Sequence, residues 1–178
     1  TAVNFINSRK SDRIGIIVFA GESFIQCPLT VDKSVLKSLI DEINIISKEY
    51  DGTAIGMAIA NATNRLRKSL VKSKVMVLLS DGSNNSGEID PRTAAELALQ
   101  YDIKIYTIGA GTNQAFTRIP GRGLIKNEID EETLKFIANK TGGRFFRATD
   151  IKALESIYNE IDTLERSEIE VKEYSSYT

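Results

Sequence analysis

Asp81 is the residue whose type and position point most directly to chemistry. It follows the apolar stretch VMVLL and Ser80, and it opens the polar loop DGSNNSG that ends at Gly87. Ligands of open α/β sheets bind beyond the carboxyl ends of the strands, so a carboxylate there can hold a ligand or a metal ion. Alternatively, Asp81 caps the loop through an Asx turn, with Gly82 at the positive φ of that turn. Both interpretations stay open on these residues alone.

Thr53 is the second residue with suitable chemistry, in the stretch DGTAIG that precedes a predicted helix. Its hydroxyl and the carboxylate of Asp81 are hard oxygen ligands, and Ser80 and Ser83 add hydroxyls nearby in the sequence. Such ligands suit Mg²⁺, which keeps several waters and takes few carboxylates. The alternative is that Thr53 is simply the N-cap of a helix that starts at Ala54.

Composition excludes several classes of function. The chain has 178 residues, a net charge of −1 and no histidine, so it lacks both a basic excess for phosphate binding and the commonest general base. We therefore expect no nucleic-acid partner and no Ser-His or Cys-His nucleophile. The single cysteine, Cys27, is expected to be a small buried residue of a strand. The acidic residues at 128 and 130–132 are interpreted as a first helical turn, where they favour the helix dipole.

The alternation of strands and helices predicts an α/β fold. Apolar strands are expected at 12–20, 23–30, 74–80, 103–111 and 142–149, the first two as an antiparallel hairpin with Pro28 on its edge. Helical spacing predicts a helix ending near residue 10, one capped by Thr30 and one after Thr53. It also predicts a helix over 90–101 with Asp90 as cap and Pro91 first, and others over 130–140 and 150–165. Strands joined by helices form a parallel sheet covered on both faces. We therefore expect a Rossmann-like, doubly wound and mostly parallel sheet with one antiparallel edge strand.

The inward faces of two helices and the ends of the chain can also be predicted. The helix after Thr53 should bury Ile55, Ile59, Ala62, Leu66 and Leu70, and the last helix should bury Ile151, Leu154, Ile157, Tyr158, Ile161 and Leu164. The tail RSEIEVKEYSSYT alternates apolar and charged residues, which predicts a solvated strand or a linker. We divide the chain into a domain over 1–166 and a charged tail over 167–178. Its abrupt start predicts that the chain begins inside a longer protein.

Several stretches together resemble a known family. They are DRIGIIVFAGESFIQCPLT, DGTAIGMAIANATNRL, VMVLLSDGSNNSGEIDPRTAAELA and IKIYTIGAGT, extended by RGLIKNEIDEETLKFIANKTGGRFFRATD and IYNEIDTLERSEIEVKEY. They resemble the von Willebrand factor type A (VWA) domain, and more narrowly the BatA-type aerotolerance-related membrane proteins of bacteria. The resemblance covers almost the whole chain and implies a Rossmann-like sheet with a metal-ion-dependent adhesion site (MIDAS).

The resemblance assigns roles to Thr53 and Asp81. The family's site combines Asp-x-Ser-x-Ser after the first strand, a Thr in a second loop and an Asp in a third. Thr53 matches the second element and Asp81 the third, whereas the first element and its central strand are absent from this chain. That strand would lie between IGIIVF and VMVLL, so two sheet edges are expected to be unpaired. We expect weak or absent binding of Mg²⁺, Mn²⁺ or Ca²⁺, and a fragment that is self-associated, rearranged or metal-free.

The resemblance implies a protein-interaction module and not an enzyme. In the intact domain, the divalent ion would bind an Asp or Glu of a protein partner, and other subunits of a membrane complex would be further partners. One alternative is a Mg²⁺-dependent phosphoryl-transfer or hydrolytic enzyme with Asp81 as a metal ligand. Another is an assembly scaffold that needs no metal. The resemblance also implies a bacterial membrane protein with this domain outside the cytoplasm, whereas the fragment itself is expected to be soluble.

Overall fold

The computed structural model describes the backbone of residues 2–19, 23–46, 53–81, 87–111, 116–121, 123–126 and 129–176. Side chains are described within these ranges except at 23–26, 44–46, 116–119, 123–126 and 167–176. The predictions made for Gly82, Ser83 and the acidic residue at 128 lie outside the described residues.

The described residues form helices and strands that alternate along most of the chain. The helices are α1 (Ala2–Ser8), α2 (Lys33–Ile46), α3 (Ile55–Leu66), α4 (Pro91–Gln100), α5 (Glu131–Thr141) and α6 (Ile151–Ser176). The strands are β1 (Ile14–Phe19), β2 (Ser23–Thr30), β3 (Lys74–Ser80), β4 (Ile103–Ala110), β5 (Phe116–Ile119), β6 (Gly123–Lys126) and β7 (Phe145–Ala148). The predicted α/β class is confirmed.

The strands form one parallel sheet and two antiparallel hairpins. The parallel sheet has the order β3-β4-β7, with Lys74 opposite Ile103 and Thr107 opposite Phe145. Strands β1 and β2 form the predicted antiparallel hairpin. Strands β5 and β6 form a second hairpin within a glycine-containing segment for which no strand was predicted. The parallel sheet directs the carboxyl ends of β3, β4 and β7 to one edge, where a ligand site of an α/β sheet is expected.

Strands β1 and β3 belong to different sheets, and the outer edge of β3 has no hydrogen-bonded neighbour among the described strands. The difference in burial between β3 and β4 agrees with this arrangement. Six of the eight residues of β4 are buried, whereas in β3 only Leu78 and Ser80 are, and the side chain of Leu79 is 38% exposed. The separation of β1 from β3 agrees with the expectation that a further strand lies between IGIIVF and VMVLL in the family's sheet.

Helices cover both faces of the parallel sheet. On one face, residues of α3, α4 and α5 pack against β3 and β4 around a core that includes Ile59, Ala95, Ile105 and Ile137. On the other face, Ile157 and Ile161 of α6 pack against Tyr106 and Ile108 of β4. A third cluster, formed by Ile6, Cys27 and Leu36, joins α1 and α2 to the β1–β2 hairpin. The sheet is therefore doubly wound, as predicted, and Cys27 is buried.

An ion pair and an aromatic contact join α1 to α6. The guanidinium of Arg9 donates a hydrogen bond to the carboxylate of Asp162, which also accepts one from Nε of Arg166 at 2.9 Å. The rings of Phe5 and Tyr158 lie 5.0 Å apart, centroid to centroid. Burial acts to raise the pKa of Asp162, but the hydrogen bonds and charges of the two arginines outweigh it and hold this pKa below its usual value.

Two residues predicted to be buried are exposed. Helix α3 ends at Leu66, so Leu70 lies outside the helix and is fully exposed. Ile151 is the first residue of α6, and its side chain is 70% exposed. In both cases the predicted apolar stripe extended beyond the helical residues that contact the core. These two predictions were wrong.

The N-cap of α2 and the end of the chain also differ from expectation. Asp32, rather than Thr30, caps α2, because its Oδ1 accepts hydrogen bonds from the N–H groups of Ser34 and Val35 at 2.9 and 3.2 Å. The backbone of residues 167–176 continues α6, so the solvated-strand interpretation of the tail was wrong. The division of the chain after residue 166 stays a prediction.

Candidate functional site

Asp81 lies immediately beyond the carboxyl end of β3. The parallel ladder ends where Ser80 is in register with Gly109 of β4, so Asp81 is the first residue past this edge of the sheet. Its side chain is exposed, and no described residue forms a hydrogen bond or ion pair with its carboxylate. The predicted position of Asp81 at the ligand edge is therefore confirmed. The loop of the alternative Asx turn lies outside the described residues, so that alternative stays a prediction.

Thr53 lies directly before the start of α3 and is half-buried. The helix begins at Ile55, and its N-cap is Ala54, which makes no side-chain capping hydrogen bond. The interpretation of Thr53 as the N-cap was therefore wrong. Capping of α3 therefore does not account for Thr53, and its role in a binding site stays a proposal.

Two glycines bring the segment after β3 against the first turn of α3. A Cβ atom on Gly56 would lie only 1.9 Å from the carbonyl oxygen of Ile89, so only glycine permits this close backbone approach. Gly87 has a φ of 91°, and a Cβ there would lie 2.9 Å from Cγ of Met57. The residues that follow the loop begun by Asp81 therefore pack on the helix that follows Thr53.

The sequence reasoning did not identify these two glycines as positioning residues. A signal was available, since Gly56 interrupts the helical stretch AIGMAIA at a position where alanine favours helix formation by up to about 1 kcal/mol. A glycine in a helix interior often has a packing reason. The identity of the neighbouring segment could not be read from that signal alone.

Asp90 is a structural residue at the same edge. Its Oδ2 accepts hydrogen bonds from the backbone N–H groups of Arg92 and Thr93 at 3.0 and 3.1 Å, which caps α4. Pro91 follows as the first residue of α4. The predicted cap is confirmed, and its hydrogen bonds hold the chain beside Gly56.

The acidic residues before and within α5 are also structural. Asp130 caps the helix by accepting a hydrogen bond from the N–H of Thr133 at 3.1 Å, and Glu131 and Glu132 lie in its first turn. Glu131 pairs with Nε of Arg147 at 3.3 Å. The described part of this acidic stretch therefore has the role that the sequence predicted.

The described residues contain no group of three or more Cys, Asp or Glu side chains that could hold a metal ion. They place the exposed carboxylate of Asp81 at this edge, and Thr53 directly before α3, whose first turn contacts the segment that follows the loop of Asp81. Mg²⁺ fits such a set of hard oxygen ligands only with several waters or added ligands, because it requires octahedral coordination. This edge can supply part of a coordination shell.

A family model decides the identification. The model of the von Willebrand factor type A domain matches residues 1–160. The chain belongs to the VWA family. A protein of Borreliella burgdorferi without an assigned function is 31% identical over 175 residues, which cover 94% of this chain and 51% of that protein. The VWA chain thus spans about half the length of the curated relatives it matches.

Solved structures of VWA proteins agree with the fold. The protein BatB from Bacteroides thetaiotaomicron is 27% identical, with a TM-score of 0.75 over 93% of this chain and 85% of that one. An aerotolerance-related membrane protein from Bacteroides fragilis is 25% identical, with a TM-score of 0.74 over 89% of this chain and 82% of that one. The predicted resemblance to VWA proteins of this aerotolerance-related group is confirmed.

A more distant VWA structure contains a metal. It is that of proximal thread matrix protein 1 from the mussel byssus with a zinc-occupied MIDAS motif, which has 23% identity and a TM-score of 0.70. The alignment covers 92% of this chain and 38% of that chain. At this identity the similarity establishes the shared fold alone.

Membership of the VWA family supports a protein-interaction module, because VWA domains are in general non-catalytic interaction modules. The similar structure from Bacteroides fragilis is that of a membrane protein. Among the described residues of this chain, no helix is both long and apolar enough to cross a bilayer.

Proposed function

We propose that the intact VWA domain binds a protein partner through a divalent cation held by Asp81, Thr53 and the upstream Asp-x-Ser-x-Ser element that this chain lacks. An Asp or Glu of the partner completes the coordination of the ion, so recognition depends on the metal. The observation that carries this proposal is the exposed carboxylate of Asp81, just past β3, next to a segment that packs on the helix following Thr53.

The charge of the ligands explains why such an ion would recruit a carboxylate. In the intact domain the protein supplies few charged ligands and leaves a coordination position of the divalent ion open, which water fills. A carboxylate of a partner is a hard oxygen ligand that replaces this water and adds negative charge to the shell of the cation. The zinc-occupied MIDAS motif of the mussel VWA protein supports a divalent ion at this type of site.

The proposed module is not an enzyme. The sequence has no histidine, and a hydrolytic or phosphoryl-transfer reaction at Asp81 would need a general base beside it. Asp90 and Glu131, which lie near this edge, already cap or pair within the fold. A binding role therefore has more support than the Mg²⁺-dependent enzyme.

A paired peptide array tests the proposed recognition. Each pair presents one Asp or Glu and its Asn or Gln counterpart, and the immobilised VWA domain, with the upstream Asp-x-Ser-x-Ser element restored, is probed with Mg²⁺, with Mn²⁺ and with EDTA. We expect the carboxylate member of some pairs to bind when a metal is present. EDTA and the substitution Asp81→Asn should each abolish that binding, and Thr53→Val should weaken it.

The matched control is Asp102→Asn. Asp102 is an exposed aspartate that precedes β4, at the opposite edge of the parallel sheet. It should leave binding unchanged. Binding that persists in EDTA or in the Asp81→Asn chain would contradict the metal-mediated function and favour the scaffold that needs no metal.

We also propose where the whole protein acts and how this chain associates. The whole protein is a bacterial membrane protein whose VWA domain lies outside the cytoplasm and meets other membrane subunits; the aerotolerance-related membrane protein of Bacteroides fragilis supports the membrane association. The edge of β3 that has no neighbour among the described strands supports self-association, because unpaired backbone N–H and C=O groups are a template for another strand.

A further inference from the structure

The segment between α3 and β3 concentrates positive charge. We name residues 65–74 the basic loop, which contains Arg65, Arg67, Lys68, Lys72 and Lys74. No acidic residue occurs anywhere between Asp51 and Asp81, although the whole chain has a net charge of −1. The charge of the chain is therefore distributed unevenly, and the basic loop is a local cationic surface.

The tip of the basic loop is apolar as well as exposed. Leu70 is fully exposed, and the side chain of Val71 is 53% exposed. Both lie between Lys68 and Lys72, whose side chains are exposed too. Two aliphatic side chains that protrude between cations combine the two features that favour the interface of an anionic bilayer.

Contacts at the base of the basic loop hold it on the fold. The guanidinium of Arg67 lies 5.7 Å from the centroid of the Tyr101 ring, and its Nε donates a hydrogen bond to Oδ1 of Asn64 at 2.9 Å. The N–H of Ser69 donates to the carbonyl of Leu66 at 3.0 Å. The tip is therefore presented from an anchored base.

The cations on both sides of Leu70 are available for a partner. Neither Lys68 nor Lys72 forms a salt bridge within the described part of the chain, whereas Arg67 is held by Tyr101. Asp102 is an exposed acidic residue close to the loop in the fold, because it precedes Ile103, which pairs with Lys74. The five basic residues of the basic loop outnumber this neighbouring acidic residue.

The basic loop lies at the amino end of β3, whereas Asp81 lies at its carboxyl end. A surface at the basic loop is therefore separate from the proposed metal site. An experiment on the basic loop therefore does not decide whether the proposed metal site exists, and the reverse also holds.

We infer that the basic loop docks on an anionic lipid bilayer. Leu70 and Val71 enter the headgroup region, and the neighbouring lysines approach the lipid phosphates. The apolar tip favours a bilayer over a nucleic acid, because binding to single strands depends on aromatic stacking and the tip offers two aliphatic side chains. Charge complementarity selects vesicles that contain phosphatidylglycerol over vesicles of phosphatidylcholine alone.

Vesicle sedimentation tests the inference directly. The chain is mixed with vesicles of phosphatidylglycerol and phosphatidylcholine in equal parts, or with vesicles of phosphatidylcholine alone, at low and high salt. We expect binding to the anionic vesicles that weakens as the salt concentration rises. Lys68→Ser combined with Lys72→Ser should weaken it about twenty-five-fold, at about fivefold per charge. Leu70→Ala should weaken it about tenfold.

A matched control exists at the other edge of the same sheet. Ile151 and Lys152 are an exposed aliphatic residue and an exposed lysine that follow the carboxyl end of β7. Ile151→Ala combined with Lys152→Ser should leave binding unchanged, and circular dichroism should show that all the variants are folded. An equal loss in this control, equal binding to phosphatidylcholine alone, or tighter binding to an oligonucleotide than to the anionic vesicles would overturn the inference. So would the absence of binding to either vesicle.

Discussion

Substitution of Gly56 by alanine tests how the fold holds the proposed site together. The added Cβ would lie 1.9 Å from the carbonyl oxygen of Ile89 and 2.8 Å from its carbonyl carbon. Because both contacts are with backbone, rotation of a side chain cannot relieve them. Either the first turn of α3 or the segment before α4 must move, and Thr53 would then be displaced relative to the loop of Asp81.

The size of the effect follows from two opposing contributions. Overpacking of a tight contact costs about 1–3 kcal/mol, and a contact with backbone belongs at the upper end of that range. Alanine favours an interior helical position over glycine by about 1 kcal/mol, and by less in the first turn. We therefore expect Gly56→Ala to lower the free energy of unfolding by about 2 kcal/mol.

Gly143→Ala is the matched control for this loss of stability. A Cβ on Gly143 would lie 1.9 Å from the carbonyl oxygen of Ile105, at the opposite edge of the sheet. Urea unfolding should show a similar loss of stability in the two variants. Titration of the intact domain with Mn²⁺ should show weaker metal binding by its folded Gly56→Ala variant and unchanged binding by its folded Gly143→Ala variant.

Two results would refute this reasoning. Unchanged or increased stability of Gly56→Ala would mean that the approach to Ile89 does not constrain the fold. Equal metal affinity of the two folded variants would mean that this packing does not position Thr53 against the loop of Asp81.

Three further predictions concern stability and association. The depressed pKa of Asp162 adds stability that is complete above its unfolded-state pKa of about 4 and is lost as the pH falls through the folded-state pKa. Asp162→Asn should therefore lower the free energy of unfolding measured in urea by about 1–3 kcal/mol at neutral pH. The difference from the unsubstituted chain should shrink in acid, and the control Glu155→Gln should show no such effect. A constant difference would exclude that linkage. The hydroxyl of Thr63 is buried without a hydrogen-bond partner among the described residues, so Thr63→Val should raise the unfolding free energy by about 1 kcal/mol, and a loss of that size would contradict the reasoning. Leu79→Lys places a charge at an exposed position of β3, so sedimentation velocity should show less self-association. Unchanged oligomers would exclude the edge of β3 as the interface.

The elements that carry the site were predictable because their patterns are local. The run VMVLL before Asp81 has the composition of a buried strand, and Asp90 and Pro91 are a helix start in both sequence and structure. The antiparallel hairpin of β1 and β2 followed from the short connection between two apolar runs. Position along a strand was enough to place Asp81 at the ligand edge.

Long-range packing decided what the local patterns could not. Gly56 meets Ile89 across 33 positions of the chain, and no local pattern names that partner. The tail contains Ile169 and Val171 two positions apart, a spacing that suggests a strand, yet its backbone continues α6. Leu70 matched the apolar spacing of α3, but the helix ends four residues earlier. The hairpin of β5 and β6 lacks the alternation that would have predicted it.

The central claim is that Asp81 and Thr53 bind one divalent ion in the intact domain, and paramagnetic broadening by Mn²⁺ tests it most directly. Trace Mn²⁺ is added to the ¹⁵N-labelled domain with the upstream Asp-x-Ser-x-Ser element restored, and the loss of each backbone amide signal is measured by NMR. This account predicts that broadening is centred on Asp81 and Thr53, is lost in Asp81→Asn and persists in Asp102→Asn. Broadening centred elsewhere, or broadening near Thr53 that survives Asp81→Asn, would contradict the claim.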